Sequence, residues 1–296
     1  MNFPHHVAVF GPGLMGASLC LAVRKLFPKT RISVWARNRD RLDSALSRGL
    51  ADTATLRPEE AVQNADLVVL CVPVEAMPDL VGEFIERISK KTVITDVGSV
   101  KANLNRSLSS IIGKRARWIG SHPMTGSESA GMDAARDDLY QGATTIVTPT
   151  AETDRTALDQ VTHFWEALGS TVIRMTPEEH DLNVAAISHL PHLLAACLIN
   201  ATPEDAFRVM GPGFRDTTRI ASGSPSLWTG ILKENRPAVL HSIQRFIDEW
   251  GAVRDVLRDG DDDALHALLS CAADSRQRHM TETAKSKTSA LKSIFR

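Results

Sequence analysis

The stretch Gly11-Pro12-Gly13-Leu14-Met15-Gly16 follows directly on the compact apolar run Val7–Phe10, and it opens a segment in which Leu19, Val23 and Leu26 recur at i, i+4 and i+7. A strand, a G-x-G-x-x-G turn and an amphipathic helix in that order leave few folds open. The first glycine permits the tight turn, the second lets the backbone approach a pyrophosphate, and the third lets the helix pack close to the strand. The helix start then offers free N–H groups and a positive dipole end to phosphates. A dinucleotide is therefore expected against Gly11, Gly13, Leu14, Met15 and Gly16.

The same alternation continues. Apolar or β-rich runs at Ile32–Trp35, Leu67–Val72, Thr92–Asp96, Trp118–Gly120, Thr144–Thr148 and Thr171–Arg174 read as strands, and Leu67–Val72 is continuous, as a strand buried on both faces should be. Strand–helix repeats of this kind imply parallel pairing through right-handed crossovers. After about Thr176 no period-2 pattern remains, and 178–202, 203–209, 226–257 and 264–284 read as helices. Thr176 can cap the first of these, with Pro177 at its first position and Glu178 and Glu179 facing the positive end. The expected fold class is α/β: an N-terminal doubly wound, Rossmann-like dinucleotide-binding domain over 1–175, then an all-α substrate-binding and dimerisation domain over 176–296.

Composition narrows the function. The 296 residues carry 34 Lys+Arg against 35 Asp+Glu, a net charge of -1, which argues against a nucleic-acid partner. No uninterrupted apolar run reaches the ~20 residues of a membrane span. The N-terminal residues lack a basic region and a cleavage site, so a cytoplasmic enzyme acting on a small molecule is expected. Cys20, Cys71, Cys197 and Cys271 are widely spaced and read as small buried hydrophobes in a reducing compartment.

Position 36 bears on the cofactor. An NAD site needs an acidic residue ~20 positions past the glycines for the ribose 2′-OH. Ala36 stands there, followed by Arg37-Asn38-Arg39, and the first carboxylate is Asp40. Arg37 can neutralise a 2′-phosphate, so NADP is expected over NAD. Val72 and Pro73, at the end of the third apolar run, join the cofactor side.

Ligands of doubly wound sheets sit beyond the carboxyl ends of the strands. Asp96-Val97-Gly98-Ser99 and Gly120-Ser121-His122-Pro123-Met124-Thr125-Gly126-Ser127-Glu128 end two of them. Ser99, His122 and Glu128 are therefore expected to converge, with His122 a plausible proton acceptor. In the helical half, Asp181, Ala185, Ser188 and His192 share one helix face, and Pro191 should kink that helix. A metal site from His180, His189 and His192 lacks completing ligands, and none is expected. Arg215 and Arg219, i and i+4 at a helix start among glycines, can clamp a carboxylate.

Taken together, GPGLMG, TDVGSVK, GSHPMTGSESAG, ATTIVTPT, PEEHDLNVAAISHLPH, GFRDTTRIA and SPSLWTGI, in that order from about Val7 to about Leu257, resemble the prephenate/arogenate dehydrogenase family of tyrosine biosynthesis. The resemblance implies an oxidative decarboxylation of prephenate to 4-hydroxyphenylpyruvate. It further implies that His122 takes the proton of the C4 hydroxyl, that Ser99 bonds the same hydroxyl and orients the nicotinamide, and that Arg219, aided by Arg215, binds a substrate carboxylate. Ser127, Glu128, Asp181, Ser188, His192 and Trp228 then line or gate the pocket, and the helical domain forms a homodimer. Arogenate or dual use stays open. A β-hydroxyacid-type dehydrogenase would need a lysine base, for which Lys233 is the candidate near the motifs. A non-catalytic NADP sensor would have no reason to keep Ser99, His122 and Arg219 together.

Overall fold

The computed structural model describes residues 3–126 and 131–294, with side chains to 281. The elements, in chain order, are β1 (His6–Phe10), α1 (Leu14–Leu26), β2 (Arg31–Trp35), α2 (Arg39–Ser47), β3 (Thr53–Thr55), α3 (Pro58–Ala61), β4 (Leu67–Leu70), α4 (Met77–Phe84), β5 (Val93–Asp96), α5 (Ala102–Ile112), β6 (Arg117–Trp118), β7 (Gly120–Met124), β8 (Thr144–Thr148), α6 (Arg155–Ala167) and β9 (Thr171–Arg174). Helices follow: α7 (Pro177–Val184), a π-helical segment Ala185–His189, α8 (Leu190–Ala201), α9 (Pro212–Thr218), α10 (Pro225–Glu234), α11 (Arg236–Asp259) and α12 (Asp262–Ile294).

The first six strands form one parallel sheet in the order β3-β2-β1-β4-β5-β6. The order reverses direction between β1 and β4, which opens the ligand crevice of a doubly wound sheet there. Both faces are covered. Val7 and Val9 pack with α1, α2 and α6, while Ala8 and Phe10 pack with α4 and α5. β1 is buried along its whole length, which explains its unbroken apolar run.

Residues 118–120 depart from expectation. In place of one short strand, the chain ends β6 at Trp118 and starts β7 at Gly120, in a second sheet β7-β8-β9 where β7 runs antiparallel to β8. Gly120 permits this turn, since a Cβ on it would lie 2.5 Å from Thr148 Oγ1. The two sheets are tied by side chains: Thr95 Oγ1 and Ser121 Oγ are 2.8 Å apart, and Ser121 N–H donates to Asp96 Oδ1 at 2.9 Å.

The helical region starts as expected. Thr176 Oγ1 accepts from Glu179 N–H, and the Glu179 side chain accepts from Thr176 N–H at 2.8 Å, a complete capping box. The expected helix over 178–202 is interrupted by the π-helical turn just before Pro191, which has no N–H to give and so removes one bond of the ladder. The segment 203–209 is a 3₁₀ rather than an α-helix, and 226–257 breaks at Asn235. Cys197 and Cys271 are exposed, unlike the buried Cys20, so the reading of all four as core residues fails. Pro177–Ala201 is long and apolar enough to cross a membrane by length and composition alone, but its His180, Asp181 and His189 are buried and hydrogen-bonded within the protein.

By contact the chain divides into two compact units, 1–236 and 237–296. The second unit holds α11 beyond its first residue and α12. In α11, Leu240, Ile247, Trp250 and Leu257 are more than half exposed. Their spacing of 7, 3 and 7 puts them on one helix face.

Candidate active site

The glycine loop has the geometry that dinucleotide binding requires. Gly11 has φ +97°, and a Cβ on it would meet Cys71 O at 2.8 Å. A Cβ on Gly16 would lie 2.2 Å from Gly11 O, so only glycine lets α1 seat against the loop. Gly13 differs, because nothing lies within 4 Å of its Cβ position. It caps α1 without a side-chain bond, and no acid occupies the first turn. The bare N-terminus of α1 thus faces open space, an arrangement fit for a pyrophosphate.

At the end of β2, Ala36 is buried and Arg37 exposed, with no ion pair among the described residues. Asn38 caps α2 by accepting from Asp40 N–H at 2.7 Å.

A cavity of about 440 Å³ lies beyond the crevice. Its lining brings together Gly13, Leu14 and Met15 of the loop, Val72 and Pro73 after β4, Ser99 after β5, and His122 on β7, all predicted from sequence. Leu227 and Ile231 of α10 close one side. Glu75, which sequence reasoning did not select, also lines it. Its carboxylate oxygens lie 3.2 Å from where a Cβ on Gly230 would stand, so the bare backbone of α10 makes room for them.

Ser99 is positioned by a turn around Asp96. The buried Asp96 accepts from Gly98 N–H at 2.8 Å and from the Lys101 ammonium at 2.5 Å, besides Ser121 N–H. Burial raises this carboxyl and Lys101 opposes the rise, and three N–H donors around two oxygens fit a carboxylate. Gly98 is required here, since a Cβ would stand 2.7 Å from both Asp96 Oδ2 and Val74 Cγ2. The Ser99 hydroxyl has no hydrogen bond among the described residues.

His122 is 7% exposed and its Nδ1 lies 2.9 Å from His180 Nε2. His180 Nδ1 lies 2.7 Å from Asp181 Oδ1. Burial, reinforced by His180 and Lys101, holds the His122 imidazole well below its ordinary pKa, so it is neutral at pH 7. Burial likewise lowers His180.

The other predicted residues are distributed around this centre. Asp181 caps α5 through Lys101 N–H and Ala102 N–H. His192 stacks on Trp228 with ring centroids 3.6 Å apart, and a side chain on Gly223 would collide with that stack. His189 is 1% exposed and faces the edge of Trp228, while Asn235 Nδ2 bridges Asp181 O at 2.8 Å and His189 Nδ1 at 3.2 Å. Because the π turn adds a residue, His189 takes the buried place and Ser188 is only half-buried. Arg215 on α9 and Arg219 in the 3₁₀ turn after it are exposed and do not line the cavity. Ser127 and Glu128 lie outside the described residues. Lys233, near the exposed end of α10, is likewise absent from the lining. Sequence reasoning did not select Asp96, Lys101 and Asn235, and weighed His180 only as a metal ligand. Asp96 and Lys101 pair within one turn and His180 with its neighbour Asp181, but the partners that join them to the site, Ser121, His122 and Asp181 across to α5, are distant in sequence.

Comparison with known proteins agrees with this geometry. A family model described as the prephenate dehydrogenase nucleotide-binding domain matches residues 19–174, and one described as the prephenate dehydrogenase dimerization domain matches 176–271. A cyclohexadienyl dehydrogenase of Zymomonas mobilis is 34% identical over 269 residues, 88% of this chain and 91% of that protein. The solved structure of Aquifex aeolicus prephenate dehydrogenase in complex with hydroxyphenyl propionate and NAD+ superposes with a TM-score of 0.87 at 32% identity, covering 94% of this chain and 99% of that one. Synechocystis arogenate dehydrogenase gives 0.82 at 30% identity, covering 93% and 99%. With both halves matched and the cavity formed from the expected motifs, the chain belongs to the prephenate dehydrogenase family.

Proposed function

We propose that this chain converts prephenate to 4-hydroxyphenylpyruvate and CO2, with NADP as preferred cofactor and His122 as proton acceptor. One observation carries the reading: a histidine kept neutral by burial lines the same cavity as the bare glycine loop and Ser99.

A bound oxidised nicotinamide dinucleotide supplies the hydride acceptor. His122 Nε2 takes the proton of the C4 hydroxyl, so that the O–H bond breaks and an N–H bond forms. As that O–H pair moves in to form C4=O, the C4–H bond breaks and its hydride leaves for the acceptor. The C1–carboxylate bond then breaks, CO2 departs, the electron pair of that bond completes the aromatic ring, and the C4 oxygen ends as a phenol after regaining a proton. Ser99 bonds the same hydroxyl and helps orient the nicotinamide. Arg219, aided by Arg215, pairs with a carboxylate of the dianionic substrate. Asp181, Ser188, His192, Trp228, Ser127 and Glu128 form or gate the remaining wall. The division of labour falls at 175/176, with nucleotide binding before it and substrate binding and dimerisation after it. The enzyme works in the cytoplasm as a homodimer, a reading supported by the exposed apolar stripe of α11.

The cofactor preference rests on Ala36 and Arg37. With no carboxylate to bond a ribose 2′-OH and an exposed guanidinium beside the end of β2, a 2′-phosphate is the better partner. Wild-type kcat/KM is expected to favour NADP, and Arg37→Ala should cost NADP about tenfold while leaving NAD within about twofold. A wild-type preference for NAD refutes the assignment.

Arogenate is the second reading, and Glu75 favours it, as a carboxylate in the cavity that an ammonium group would meet. Steady-state kinetics with both substrates decides between them.

A further inference from the structure

We infer that His180, anchored by Asp181 to the start of α5, is the positioning residue that holds His122 in its proton-accepting tautomer. The inference rests on the proposed role of His122 and adds the device that enforces it.

The argument runs from the carboxylate outward. Asp181 Oδ1 receives Lys101 N–H at 2.8 Å and Oδ2 receives Ala102 N–H at 2.9 Å, both at the first turn of α5. Lys101 is the cap residue of α5 and makes no capping bond with its own side chain, so Asp181 satisfies two of the helix's open donors. A carboxylate so placed only accepts. The proton of His180 must therefore reside on Nδ1, which meets Asp181 Oδ1 at 2.7 Å. His180 is neutral and fully buried, so its Nε2 carries a lone pair. That lone pair lies 2.9 Å from His122 Nδ1, which must then be the donor. The remaining nitrogen of His122, Nε2, has no hydrogen bond among the described residues, in a residue that lines the cavity.

The opposite tautomer of His122 would set two lone pairs against each other in a buried site, with no other donor to relieve them. When Nε2 gains the substrate's proton, the bond from Nδ1 to His180 becomes charge-assisted, and Asp181 polarises His180 from behind. The other titratable groups around the pair are Lys101 and Asp96, which neutralise each other at 2.5 Å, and His189 of the π segment. None of them makes a hydrogen bond to the ring of His122.

The experiment combines 15N NMR of histidine-labelled protein with steady-state kinetics on wild type, His180→Leu and His180→Gln. Wild type should show His122 protonated at Nδ1 at neutral pH. His180→Leu should move the proton toward Nε2 and lower kcat about 100-fold, with KM for prephenate and dinucleotide within about threefold. His180→Gln returns an amide acceptor to the place of Nε2 and should recover about tenfold of the lost kcat. A wild-type proton on Nε2, or a His180→Leu variant with unchanged tautomer or unchanged kcat, overturns the inference. Should His180→Leu not fold, the wild-type spectrum and His180→Gln still decide. If wild type does not turn over prephenate, the functional reading fails, and the spectrum independently decides the tautomer.

Discussion

In the proposed reaction a single imidazole carries the chemistry, and its surroundings fix its properties. His122 sits on the second sheet, is buried, and has one ring nitrogen engaged by His180. Removing the base while keeping a polar group, as in His122→Asn, should lower kcat by about 10²–10⁴-fold with little change in KM. Arg219→Gln should instead raise the KM for prephenate, since in the proposed binding mode it removes a ground-state contact. The lowered pKa of His122 also predicts the pH profile. With His122 as the proposed base its neutral form acts, so kcat/KM should be flat through pH 7 and fall only as pH drops well below 6.5. An acid limb centred above 6.5 would contradict this. His122 was legible from its place at a strand end, whereas its partner was not. His180 stands 58 residues away, on a helix whose sequence pattern gives no hint of which ring it will meet.

Among the elements, the glycine loop was the most legible, because its requirements are local. A turn, a close approach and a helix seat each demand a missing side chain within six residues. The demands nevertheless differ, and this can be tested. Gly16→Ala places a Cβ 2.2 Å from Gly11 O, so α1 must shift, with a loss of about 1–3 kcal/mol of stability. Gly13→Ala meets nothing within 4 Å, so melting should be unchanged while the KM for dinucleotide rises. Equal loss of stability in the two variants would reject the distinction. The capping box at Thr176 was legible for the same local reason. β7 was not: Gly-Ser-His-Pro-Met has no alternation and contains a proline, and only its antiparallel pairing with β8 makes it a strand. The break at Asn235 had one local mark, Pro237 two positions on in the first turn of α11, which the helical reading of 226–257 did not use. Asn235 leaves the helix to bridge Asp181 and His189, a tertiary reason that a local pattern does not express.

For the molecule as a whole, several buried histidines make folding sensitive to acid. His122, His180 and His189 all have pKa values lowered by burial, His189 to about 4. Their unfolded counterparts titrate near 6.5, so below that pH the unfolded chain binds more protons. Stability should be fully present above 6.5 and decline as pH falls from 6.5 to about 4, with His189 alone contributing on the order of 3 kcal/mol. Chemical denaturation at pH 7.5 and 5 would measure it, and equal stability at both would show that these rings are not held neutral. The doubly wound architecture was legible from the buried apolar runs of β1, β2, β4 and β5, whereas the edge strands β3 and β6 are short and carry no such run, and β3 was not expected.

The tie between the two sheets has a further consequence. The dinucleotide cradle belongs to one sheet and His122 to the other, and Asp96 touches the supports of both through Gly98, Lys101 and Ser121. Lengthening or shortening that one side chain should shift His122 relative to the glycine loop. On the proposed reaction, reach between base and cofactor is thus adjustable from a position outside the cavity lining.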